Sequence, residues 1–169
     1  MDLDLIISPI KLQSFSSSDN TTFRYENGIL NFPQIGGSEC EVIISADISE
    51  TKKFTVILPA GTLEFNKNDK KSGYITFDRT GCGCDMRSDE RREKNEREVR
   101  KIKYDFKNIL ELRIFIDVSA VEIFIDEGEK VISSRFYPKN VNENKNYAIE
   151  FKSDGPTCIN EIKKYNIVI

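Results

Sequence analysis

Histidine and tryptophan are both absent from this 169-residue chain, and cysteine occurs only four times. Without histidine there is no imidazole to serve as a general base near neutral pH, which excludes a histidine-dependent triad. Cys40, Cys82, Cys84 and Cys158 are scattered, and Cys82 stands too close to Cys84 for the usual two-residue-spaced metal knuckle. They read as free thiols, with a four-thiolate zinc site and disulfides as the alternatives. Neither glycine-rich phosphate motif occurs, so no cofactor is expected. No apolar run reaches the roughly 18 residues of a membrane span. The opening MDLDLIISPI lacks a basic region followed by an apolar one. The expectation is an unexported, cytoplasmic protein without a membrane partner. A net charge of -3 argues against nucleic acid, because a polyanion binder needs a basic excess.

What is present is alternation. In the stretch 110–137, LELRIFIDVSAVEIFIDEGEKVISSRFY, Leu112, Ile114 and Ile116 fall on one side and Arg113, Phe115 and Asp117 on the other. Val121, Ile123 and Ile125 repeat the spacing opposite Glu122 and Phe124. Gly128 closes a reversal after Asp126 and Glu127, and Ile132 and Ser134 then alternate with Val131, Ser133 and Arg135. The pattern is a three-strand meander. Its second parity, with Phe115 and Phe124, predicts an apolar surface outside the core, covered by a partner or by self-association.

The rest of the chain continues in the same manner. The first residues, 1–22, read as a linker or loosely held segment broken by Pro9, with an edge strand as the alternative. Residues 23–169 read as one sandwich domain. The Asn27, Gly28 pair is a hairpin signal between 23–25 and 29–32. Further strands are expected at 40–48, 54–58, 62–65, 74–77, 99–106 and 147–151, with one or two in 158–169. A polar turn is expected at 66–73 and a charged loop at about 85–98, where acidic and basic residues mix. Many short strands with turn signals and no long helical period indicate an all-β fold. It is read as a two-sheet antiparallel β-sandwich, jelly-roll or concanavalin-like.

The segment LRIFIDVSAVEIFIDEGE at 112–129, followed by Phe136, Tyr137 and Pro138, resembles the C-terminal β-sandwich domain of glycoside hydrolase family 32. That family comprises invertases, levanases, inulinases and sucrose-6-phosphate hydrolases. Asp78, Arg79 and Thr80 match a step that often precedes the segment; Val118, where the family usually has arginine, and the charged passage 81–101 depart from it. The resemblance spans about residues 25–165. It implies a non-catalytic domain that packs against, and stabilises, a five-bladed propeller missing from this chain. The catalytic carboxylates would lie in that propeller, so hydrolysis of sucrose, sucrose-6-phosphate or fructans would be the propeller's work. Glu39 and Cys40 match one of the propeller's catalytic segments by dipeptide alone, in a setting that reads as the start of a strand.

A glycosidase needs two carboxyl groups across the scissile bond. With 28 acidic residues, pairs are easy to propose and carry little weight. Asp117 and Glu122, in the meander, read as a surface pair, and no catalytic, cofactor or metal residue is assigned. The second reading is an independent carbohydrate-binding module for fructose-containing sugars, with aromatics stacking on sugar rings. Tyr25, Tyr74, Tyr104, Phe124 and Tyr137 are its aromatic candidates. Candidate partner or sugar contacts are Phe115, Asp117, Glu122, Phe124 and Tyr137. An autonomous enzyme is the third reading.

Overall fold

The computed structural model describes residues 6–10, 23–25, 28–32, 39–80, 98–137 and 149–168, and the side chains of those from 39 to 165. Thirteen strands are described. Seven form one antiparallel sheet: β1 (Ile6–Ile10), β2 (Phe23–Tyr25), β4 (Cys40–Asp47), β9 (Ile109–Asp117), β10 (Ala120–Ile125), β11 (Lys130–Arg135) and β13 (Thr157–Val168). The order across it is β1, β13, β4, β9, β10, β11, and β2 shares β1's side of β13. Six form the other: β3 (Gly28–Phe32), β12 (Ile149–Ser153), β5 (Lys53–Leu58), β6 (Gly61–Lys67), β7 (Ser72–Asp78) and β8 (Val99–Asp105), in that spatial order. The architecture is the two-sheet antiparallel sandwich expected from the alternation, of the jelly-roll, concanavalin-like kind.

Period-two sequence places one parity of every central strand between the sheets. Val42 and Ile44, Leu112 and Ile114, and Val121 and Ile123 are at most 1 % exposed. The facing sheet contributes phenylalanines: Phe54, Phe65, Phe77 and Phe151 are all at most 1 % exposed. Phe54 stacks on Phe151 at 6.0 Å and lies 6.2 Å from Phe65. Branched aliphatics from one sheet thus meet rings from the other, which lets large and small side chains interdigitate at interior density.

Three local expectations are corrected. Pro9 does not end the first element: β1 runs through it, paired with β13 at Tyr165. An edge strand tolerates proline because one side of its backbone has no ladder partner. The Asn27, Gly28 signal does not make a hairpin: β2 pairs with β13 in one sheet and β3 with β12 in the other. Here long-range pairing overrides a local turn preference. The polar turn expected at 66–73 is shorter, since β6 runs to Lys67 and β7 begins at Ser72. Asp69 ties that turn by accepting from the Ser72 hydroxyl and from the Lys71 and Ser72 amides, which hold its carboxyl down at about 2.

The charged loop at about 85–98 lies outside the described residues apart from Glu98. Its stems are fixed: the Arg79 amide donates to the Glu98 carbonyl at 3.0 Å, and Arg79 Nε lies 2.9 Å from Glu98 Oε2. That Nε–H is not aligned for a hydrogen bond, so the contact is an ion pair only. Arg79 also reaches Ser134 Oγ on β11 at 3.4 Å, and Arg100 donates to the Ser133 carbonyl at 2.8 Å. Arg100 from β8 and Arg79 from just beyond β7 therefore both reach across to β11 of the other sheet. At the opposite end, Thr51, Ser153 and Thr157 form a buried hydroxyl cluster with oxygens 2.6–3.4 Å apart. Those hydroxyls have the Pro156 and Gly155 carbonyls as acceptors, so burial leaves none unsatisfied.

Candidate functional site

The outer face of the seven-stranded sheet gathers most of the residues picked out in the meander. Register across the strands places Glu41, Phe115, Glu122 and Ser133 in one row and Ile43, Arg113, Phe124 and Val131 in the next. Phe115 and Phe124 are half-buried and pack edge to face, with centroids 5.9 Å apart and planes at 83°. Their parity sets them outside the core, as the alternation predicts. Val131, at 48 % exposure, extends the apolar strip towards β11.

Arg113 lies over this strip. Its guanidinium sits 5.0 Å from the Phe115 ring centre, and its Nε–H donates to Glu41 Oε1. Glu41 is only 3 % exposed, so the cation supplies the compensation a desolvated carboxylate requires. Ion pair and cation–π contact together hold the guanidinium against the face.

Beside it lies a depression of about 650 Å³ whose lining includes Ile43, Ser45, Arg113, Phe115, Phe124 and Glu127. Gly128 forms one wall, where an added Cβ would lie 3.7 Å from the Phe124 ring. The reversal that carries it holds three consecutive left-handed residues, Asp126 (φ 47°), Glu127 (φ 59°) and Gly128 (φ 87°). Only the glycine was legible as such. Asp126 tolerates the conformation because its side chain is fully used. Oδ1 accepts the Glu111 amide at 2.8 Å and Oδ2 accepts the Tyr104 hydroxyl, while the Asp126 amide donates to the Glu111 carbonyl at 2.8 Å. A second depression of about 420 Å³ adjoins this turn and shares Glu111 and Glu127 with the first.

The other candidates separate from this group. Asp117 is exposed on the same face and accepts the Val118 amide at 2.7 Å, so it ties the β9–β10 turn. Glu122 is exposed in register with Phe115. Tyr137 is half-buried beyond the end of β11 and does not line either depression. Tyr104 is interior, at 3 % exposure, which removes it as a stacking surface for a sugar. Tyr74 lies on the outer face of the six-stranded sheet under Lys101, whose ammonium is 4.0 Å from the ring centre. Tyr25 is outside the residues whose side chains are described. Cys40, at the start of β4, is a buried thiol whose pKa burial raises, and the Cys158 thiol is half-buried. Among the described residues no group of three or more cysteine, aspartate and glutamate side chains is placed to hold a metal.

Glu41, Arg113, Glu111 and Glu127 were not singled out from sequence. Each is unremarkable in its own strand or turn, and only the β4–β9 register and the hydrogen bonds between Glu111 and Asp126 bring them to one place.

A family model described as glycosyl hydrolases family 32 C terminal matches residues 9–167. Short stretches resemble curated relatives strongly: 62 % identity over 32 residues with sucrose-6-phosphate hydrolase of Escherichia coli, and 74 % over 27 residues with that of Klebsiella pneumoniae. These matches span 19 % and 16 % of this chain but only 7 % and 6 % of the relatives. Among solved structures, exo-inulinase from Aspergillus awamori superposes with a TM-score of 0.61 at 20 % identity. Sucrose-6-phosphate hydrolase from Lactobacillus gasseri gives 0.56 at 22 %. The chain is covered to 92 % and 86 % in these comparisons, yet it spans only 30 % and 28 % of those proteins. By sequence model and by fold, the chain belongs to the glycosyl hydrolase family 32 C-terminal β-sandwich domains.

Proposed function

We propose that the chain serves as the non-catalytic C-terminal sandwich of a fructosyl hydrolase, packing against and stabilising that enzyme's five-bladed catalytic propeller. The supporting observation is the family match over residues 9–167, in a chain that spans about a third of the solved enzymes sharing its fold. Sucrose-6-phosphate is the favoured substrate of the whole enzyme, because the curated relatives with the highest local identity carry that activity in their names. Phe115, Phe124 and Val131 supply apolar area on the outer face for a partner surface. Self-association of the isolated chain would cover the same strip, and a cytoplasmic setting suits a phosphorylated sugar.

Coexpression tests this. A family 32 sucrose-6-phosphate hydrolase propeller produced with this chain should copurify with it, and its half-life at elevated temperature should lengthen. A propeller that neither copurifies nor gains lifetime would overturn the proposal. Sedimentation of the chain alone at several concentrations checks the self-association route, and Phe124→Ser should weaken any dimer that forms.

A further inference from the structure

The outer face holds two adjacent ring-and-carboxylate arrangements, and only one has its cation. In the first, Phe115 carries Arg113 over its face while Glu41 takes the Nε–H. In the second, Phe124 lies in the depression lined by Glu111 and Glu127. Glu111 is tied to Asp126, the neighbour of Glu127, by its amide to Oδ1 and by its carbonyl from the Asp126 amide, and both glutamates line the second depression as well. Among the described residues neither has an ion-pair partner. The remaining charges of the depression are already balanced: Arg113 by Glu41, and Glu161 by Lys163 at 2.6 Å. Two unneutralised carboxylates beside an aromatic ring form a surface that favours a planar cation.

We propose that this depression docks an arginine side chain of a protein partner, with the guanidinium against Phe124 and bonded to Glu111 and Glu127. Charge complementarity selects the occupant. A neutral sugar would leave the like-charged pair uncompensated, whereas guanidinium presents a forked donor set to carboxylates and an apolar face to the ring. Arg113 on Phe115 shows the same pairing a few ångströms along the sheet. The inference deepens the function proposed above by naming the chemistry of the contact, and it rests on the chain having a protein partner.

The test is a titration of the full ¹⁵N-labelled chain with a tetra-arginine peptide, using tetraglutamine as the neutral control. Amide shifts should concentrate on 111–113 and 124–128. Glu111→Gln and Glu127→Gln, both exposed and expected to keep the fold, should each weaken the peptide roughly fivefold or more. Phe124→Leu should do likewise. Shifts spread over acidic positions elsewhere, or an affinity unchanged by all three substitutions, would overturn the proposal. So would fructose or sucrose producing the 124–128 shifts while the peptide does not. Failure of the broader reading shows separately, as a propeller that does not copurify with the chain.

Discussion

The Tyr104 hydroxyl donates a hydrogen bond to Asp126 Oδ2, joining the edge strand of the six-stranded sheet to the β10–β11 turn of the seven-stranded one. Both residues are buried, at 3 % and 5 % exposure. The bond spans the sandwich interior, and it also anchors the turn that shapes the depression beside Phe124.

Tyr104→Phe should therefore lower stability by about 1–3 kcal/mol, because a buried carboxylate loses one of its two donors. Burial first, then the bond to Asp126, then the charges of Asp126 and Glu129 raise the Tyr104 pKa above its ordinary value of 10.0. The neutral phenol is thus favoured in the folded state. Its contribution is complete below about pH 10, where the unfolded tyrosine is also neutral, and is lost as pH rises towards the elevated folded pKa. Urea titrations between pH 8 and 11 should show the parent losing stability faster than the phenylalanine variant above pH 10. Parallel alkaline limbs would contradict this.

Gly73 tests the β6–β7 hairpin. A Cβ there would stand 2.1 Å from the Asn66 carbonyl oxygen and 2.8 Å from the Phe106 ring. Backbone on one side and a packed ring on the other leave no easy relief, so Gly73→Ala should cost at least about 1–3 kcal/mol. A melting curve matching the parent would show that the strands can separate to admit the methyl group.

For Arg113 and Glu41 the expectation is coupling. Arg113→Met should strand a carboxylate that is 3 % exposed, at a cost of about 1–3 kcal/mol. Because the arginine is itself 57 % exposed, the pair's net worth is smaller than that loss. The double variant with Glu41→Gln should recover much of the stability, giving an interaction energy of about 0.5–3 kcal/mol in a double-mutant cycle. Strict additivity would remove the pair from the description of the face.

Ile123 is 0 % exposed in the centre of the meander, so Ile123→Ala should cost about 2–5 kcal/mol through lost transfer energy and the cavity left behind. A loss below 1 kcal/mol would mean that the core collapses around the site.

These residues also show what the sequence carries on its face. Ile114, Ile123, Phe115 and Phe124 were assigned to their two surfaces by parity alone, since a strand's side-chain period is two and each sheet has only two sides. The Tyr104–Asp126 bond was not legible, because it joins different sheets and depends on how one twists over the other. The same holds for Arg113 and Glu41, which are 72 positions apart and meet only through strand register. Asn27 and Gly28 illustrate the converse: a local turn signal is real, yet β13 and β12 compete for the strands on either side of it and win. The depression's chemistry stayed hidden for this reason. Its walls come from β4, β9, β10, β13 and a turn, none of which announces the others.

The proposed role predicts that the sandwich releases no fructose by itself. Release of fructose from sucrose and from sucrose-6-phosphate, measured with the purified chain at high concentration, addresses it most directly. The expected result is no release above the buffer blank. Activity that copurifies with the chain and disappears in Asp117→Asn or Glu122→Gln would contradict it, and would make the outer face of the seven-stranded sheet an active site.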